Sequence, residues 1–136
     1  MKDVTRIDGF MQKKGVCYAV VRVGEDEYKE FDAADNYLAV NLPPRAIVTD
    51  AYVHTFTASN AGAVTLGTTE GGTEILSAGD STTPGKSGTF TGQVHTDTGA
   101  PLYMGIAAAA TQGDFVAVVE YVEYTKNTGE YTKITK

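Results

Sequence analysis

The chain has 136 residues, enough for one domain with one hydrophobic core, and its 42% hydrophobic and 21% charged content is that of an ordinary globular protein rather than a disordered one. A formal net charge of −6 argues against holding nucleic acid by its phosphates, which takes a basic surface. The only cysteine, Cys17, rules out an intramolecular disulfide, and no apolar run nears the ~20 residues of a membrane span.

Residues 1–16 (MKDVTRIDGFMQKKGV) mix charges with isolated apolar residues at no sustained period and lack the apolar stretch of a secretory signal. They read as an arm, anchored by Phe10 and Met11, on a protein made in a cytoplasm. The first strand is Cys17–Val23 (CYAVVRV), with Cys17, Ala19, Val21 and Val23 on one face. An acidic turn follows at Glu25, Asp26 and Glu27. A second strand covers residues 37–42, ended by Pro43-Pro44, which have no amide hydrogen to give a ladder.

Ala46–Thr57 forms a long third strand. Strict alternation sets Ile47, Ala51 and Val53 on one face and Val48, Tyr52, His54 and Phe56 on the other. Both faces are fairly apolar, so one is expected to pack the core and the other to meet a neighbouring element or chain. Ala63–Gly67 and residues 73–76 read as a hairpin across Glu70-Gly71-Gly72. Residues 77–88, rich in Gly, Ser, Thr and Pro, read as a surface loop. Strands are expected at 89–95 and 102–107, with residues 107–110 as a strand end and turn. The strongest strand is 115–124 (FVAVVEYVEY), and the polar tail 125–136 reads as a second arm with Tyr131 and Ile134 isolated in it.

About eight strands without a helical period make an all-β fold, a β-sandwich or jelly roll, spanning residues 17–124 between the two arms. Catalysis needs a nucleophile, a base and a group to orient it, and none is assembled by spacing. His54 and His95 lie on strands, where a structural or interface role is the better reading. Cys17, beside Ala19 and Val21, reads as an inert core thiol. Glu120 and Glu123, three apart on one strand, point to opposite faces and make no acid–base pair. The acidic turn matches no EF-hand loop, and Gly85-Lys86-Ser87-Gly88 lacks the glycine spacing and helix of a P-loop. No enzyme, cofactor or metal is expected. Eight tyrosines and no tryptophan make Tyr52 and Tyr124 even candidates for core and interface.

Three segments together resemble the decoration, or cement, proteins that coat the capsids of tailed phages: LPPRAIVTDAYVHTFTA (42–58), AVTLGTTEGGTEIL (63–76) and GDFVAVVEYVEY (113–124). The order and spacing of the three carry the resemblance, over residues 37–124. It implies a jelly-roll sandwich, assembly as a dimer or trimer, and binding to the outer surface of the major capsid protein lattice in the virion. It carries no catalytic residues. The candidate interface is Phe10, Met11, Tyr52, His54, Tyr124, Tyr131 and Ile134. Two competing readings are a fibre or tail sandwich that binds carbohydrate or a host receptor, and a small jelly-roll enzyme. The first requires aromatics or acidic ligands gathered at one end, the second requires His54 and His95 to converge.

Overall fold

The computed structural model describes residues 16–92 and 94–123, with only the main chain described for Val94 and His95. Phe10, Met11, Tyr124, Tyr131, Ile134 and the two arms lie outside the described residues, apart from Val16. Within them the chain forms strands β1 (Cys17–Val23), β2 (Asp35–Leu42), β3 (Ala46–Thr57), β4 (Ala63–Gly67), β5 (Leu76–Asp80), β6 (Gly85–Ser87), β7 (Thr89–Phe90), β8 (Val94–Thr96), β9 (Ala100–Ile106) and β10 (Asp114–Glu123). A single 3-10 turn at Tyr28–Glu30 separates β1 from β2.

The strands make two antiparallel sheets. The first runs β1-β10-β3, and β6 and β8 lie one after the other along the far edge of β3. The second runs β2-β9-β4-β5-β7. Their inner faces close on one core. The first sheet supplies Val23, Val48, Ala51, Val53, Phe115, Ala117 and Val119, and the second supplies Leu42, Val64, Leu66, Leu76, Leu102 and Met104. The result is a β-sandwich, as the alternation predicts.

Polar groups link the layers where apolar contact ends. The buried Thr55 of β3 donates its hydroxyl to the carbonyl of Asp80 at 3.1 Å, joining the first sheet to the second. Ser81, fully buried, donates both its amide (3.0 Å) and its hydroxyl (2.8 Å) to the carbonyl of Gly62. Buried hydroxyls satisfied in this way avoid the desolvation cost of an unpaired group.

Three expectations are corrected. Alternation placed Ile47 with Ala51 and Val53, but Val48 is the buried member of that set and Ile47 lies on the outer side. The cause is a β-bulge: Glu120 pairs with Asp50 and Tyr121 with Val48, so Thr49 is an extra residue that shifts the alternation by one. A second bulge leaves Phe56 unpaired between Thr55 and Thr57. Residues 77–88 are not one surface loop. They hold most of β5 and all of β6, while 73–75 are not strand. Gly79 belongs there for a steric reason, since a Cβ would meet the carbonyl of Val64 at 2.5 Å and the side chain of Val53 at 2.9 Å. The segment 89–95 is also broken, into β7 and β8.

Two expected outcomes test this architecture. Gly113 has φ +88°, and a Cβ there would run into the carbonyl of Ala58. Gly113→Ala is expected to cost about 2–4 kcal/mol in denaturant unfolding, and an effect within experimental error would contradict the close approach. In the turn between β4 and β5, the Glu74 carboxylate accepts from the Thr69 hydroxyl (2.8 Å) and the Thr68 amide (3.1 Å). These bonds, the hydroxyl first, hold the Glu74 pKa below its usual value. A carboxyl lowered on folding adds stability above its unfolded pKa and loses it as pH falls through the folded one. Glu74→Gln should therefore lower the melting temperature at neutral pH and converge with the wild type in acid.

Candidate interaction face

Alternation along β10 divides its side chains between two jobs. Phe115, Ala117 and Val119 turn into the core, so Val116, Val118 and Glu120 turn out. Unbroken pairing with β1 aligns them with Arg22, Val20 and Tyr18, and pairing with β3 aligns them with His54, Tyr52 and Asp50. Three cross-strand rows result. The central one, Val20-Val118-Tyr52, is apolar and aromatic. One flank, Tyr18-Glu120-Asp50, is acidic. The other, Arg22-Val116-His54, ends on Lys86, which pairs with His54, and is basic.

This face is not spent on the fold. Tyr18 is 58% exposed, while Val20 and Phe56 are each 57% exposed. Only Val118, in the middle of the sheet, is covered, at 7% exposure. Several side chains are nonetheless held in place. The Lys86 ammonium sits 4.7 Å from the centre of the Tyr52 ring, a cation–π distance. The rings of His54 and Phe56 meet edge to face at 4.7 Å. Arg22 reaches both carboxylate oxygens of Asp114, at 3.2 and 3.1 Å, and that hydrogen bonding with its charge raises the Arg22 pKa. Glu120 accepts from the Thr49 hydroxyl at 3.2 Å. Ordered aromatic and charged groups around an apolar centre are the usual composition of a protein interface.

Tyr52 and His54 therefore lie on this one face, both half-buried. Tyr18, Val20 and Phe56 share it and were not among the sequence candidates. Tyr18 and Val20 were legible as the outer alternates of the first strand. Phe56 was legible in the same way, since alternation sets it on one side with Tyr52 and His54, and the bulge there only takes it out of pairing with β10. His95 is set elsewhere: its main chain pairs with Ile47, seven residues along β3 from His54, or roughly 20 Å. The two histidine backbones do not converge. Cys17 is free and partly buried on the inner side of β1, its main chain opposite Tyr121.

Among the described residues there are also two shallow hollows, one on the second sheet and one that takes in Arg22 at the margin of this face. One, of about 410 Å³, is lined by Asn36, Thr65 and Gly105 among others. The other, of about 450 Å³, is lined by Arg22, Tyr28, Thr57, Gly113 and Asp114 among others. In the second, the Tyr28 hydroxyl donates to the carbonyl of Gly113, and burial raises its pKa. Among the described residues, no three His, Cys, Asp or Glu side chains gather to hold a metal ion.

A face kept for contact rather than for folding tolerates polar substitution. Tyr18→Ser with Val20→Ser should change unfolding stability by less than about 1 kcal/mol in the isolated chain. The same pair should reduce binding of a hydrophobic fluorescent dye. A loss of several kcal/mol would place these side chains in the fold instead.

No family model matches the chain, and no curated protein matches it. Among solved structures, a chain of the cyanophage Pam1 capsid asymmetric unit is similar, with 20% identity over 79% of this chain and 84% of that chain and a TM-score of 0.46.

Proposed function

We propose that the protein is a structural component of a phage virion, a decoration protein that binds the outer surface of the major capsid protein lattice and stabilises it. The observation that carries this reading is the outer face of the first sheet. It presents an apolar row, Val20-Val118-Tyr52, between an acidic and a basic row, with Tyr18 and Phe56 open to solvent. The resemblance of residues 42–58, 63–76 and 113–124 to tailed-phage decoration proteins supplies the partner.

The route of the chain supports the jelly-roll form of the sandwich. From β1 to β4 it alternates between the sheets strand by strand, and β9 and β10 return as middle strands of opposite sheets. Residues 1–16 and 125–136 are proposed as arms, with Phe10, Met11, Tyr124, Tyr131 and Ile134 as their contacts. Segments that order on docking spread many weak contacts over neighbouring subunits and gain strength by avidity. The protein is further proposed to self-associate, to use no cofactor and to catalyse no reaction. Among the described residues the exposed aromatics Tyr18 and Phe56 sit toward opposite ends of the face rather than gathering at one, which favours decoration over the carbohydrate or receptor reading.

The test is addition of the purified chain to expanded capsids that lack it. Stoichiometric binding and a raised resistance to heat or chaotrope are expected. Tyr52→Ala with Phe56→Ala should weaken binding while the chain stays folded, and so should deletion of residues 1–14 or 125–136. Saturating addition with no bound protein and no change in capsid melting would sink the proposal.

A further inference from the structure

Among the described residues four edges bound the two sheets, and three are blunted. β6 and β8 are three residues each, β7 is two, and β2 carries a register break between Leu38 and Val40. β1 differs from all of these. It is seven residues long, contains neither Pro nor Lys, and pairs with β10 without a register shift. Among the described residues no strand lies on its far side. A long, regular, apolar edge of this kind is a template for pairing with another strand.

The geometry points to β1 as the seam of a two-fold dimer, in which two copies of this chain join edge to edge, antiparallel and centred on Val20. It deepens the self-association proposed above and does not depend on the capsid lattice. In this register Val20 faces Val20, Ala19 faces Val21, Cys17 faces Val23, and Tyr18 faces Arg22. The apolar residues meet apolar residues, and no charge meets its own kind.

The charges on the outer face select this register over its neighbours. The two-fold continues the basic row Lys86-His54-Val116-Arg22 of one copy into the row Tyr18-Glu120-Asp50 of the second. Arg22 and the second copy's Glu120 then stand two strands apart, ~10 Å between backbones, so the rows attract across the seam while Arg22 stays on its own Asp114. Centring on Ala19 would set Arg22 opposite Val16, and centring on Val21 would set it opposite Val20. Neither aligns opposite charges. The Val20 register also brings Val16 beside the second copy's Gly24. On the same axis the central rows Val20-Val118-Tyr52 of the two copies fuse into one apolar band.

Sedimentation velocity of the full chain over a concentration series tests the seam. A reversible monomer–dimer equilibrium, weakened by salt, is expected. Val20→Lys sets two lysines against each other on the axis and should raise the dimer dissociation constant roughly tenfold or more. Its melting should stay near wild type, because Val20 is 57% exposed. The double variant Cys17→Ser, Val20→Cys should give a covalent dimer on mild oxidation, and this decides the matter even if Val20→Lys fails to fold. A monomeric wild type overturns the inference, and so does a trimer, since an isologous two-fold edge closes at two copies. A dimer indifferent to Val20→Lys, or one that Val20→Cys does not crosslink, overturns it as well. Dimers that fail to bind capsids would count against decoration alone, whereas monomers that bind them would leave decoration standing without this seam.

Discussion

β10 pairs with β3 along all of Asp114–Glu123 and with β1 along Phe115–Tyr121, and everything else in the first sheet is placed by that double pairing. Its alternation leaves no residue idle. Phe115, Ala117 and Val119 close the core against the second sheet, and Val116 and Val118 join neighbours on the outer face. A one-residue slip of β10 would exchange these sets, burying Glu120 and exposing Phe115. Register here serves stability and surface at once. The same pairs that pack the interior line up Val20, Val118 and Tyr52 outside.

β3 shows how the sheet absorbs a pattern that does not alternate cleanly. Read straight through, Ala46–Thr57 offers apolar residues to both sides. The bulges at Thr49 and Phe56 resolve this by inserting one unpaired residue each. The first brings Val48 into the core with Ala51 and Val53, while the second takes Phe56 out of the β10 pairing and leaves it on the outer side beside His54. Bulges of this sort re-aim side chains without lengthening the strand's partner, so β10 stays regular between them.

Charge on the outer face is arranged rather than merely tolerated. Arg22 is held by Asp114, Glu120 by Thr49, and Lys86 stands over Tyr52, so each charge is positioned at little entropic cost when a partner arrives. An acidic row and a basic row flanking an apolar one give such a face a direction. It fits a partner in one orientation better than the reverse.

Period-two alternation, turn chemistry and the two prolines by themselves determined the sandwich class and the cores of β1, β2, β3, β4, β9 and β10, because those signals act within one segment. They also marked Tyr52 and His54 as neighbours on one side of a strand. Only the tertiary structure decided which face was inside. That choice turns on pairing across long sequence separations, where Thr49 has no counterpart on β10 and Gly79 must clear Val64 and Val53. The polar run 77–88 reads as loop for the same reason: its strands exist because β4 and β3 supply the missing hydrogen bonds, not because its own residues favour extension. The open edge of β1 and the rows of charge beside it are likewise properties of neighbours in space, so no reading along the chain alone reaches them.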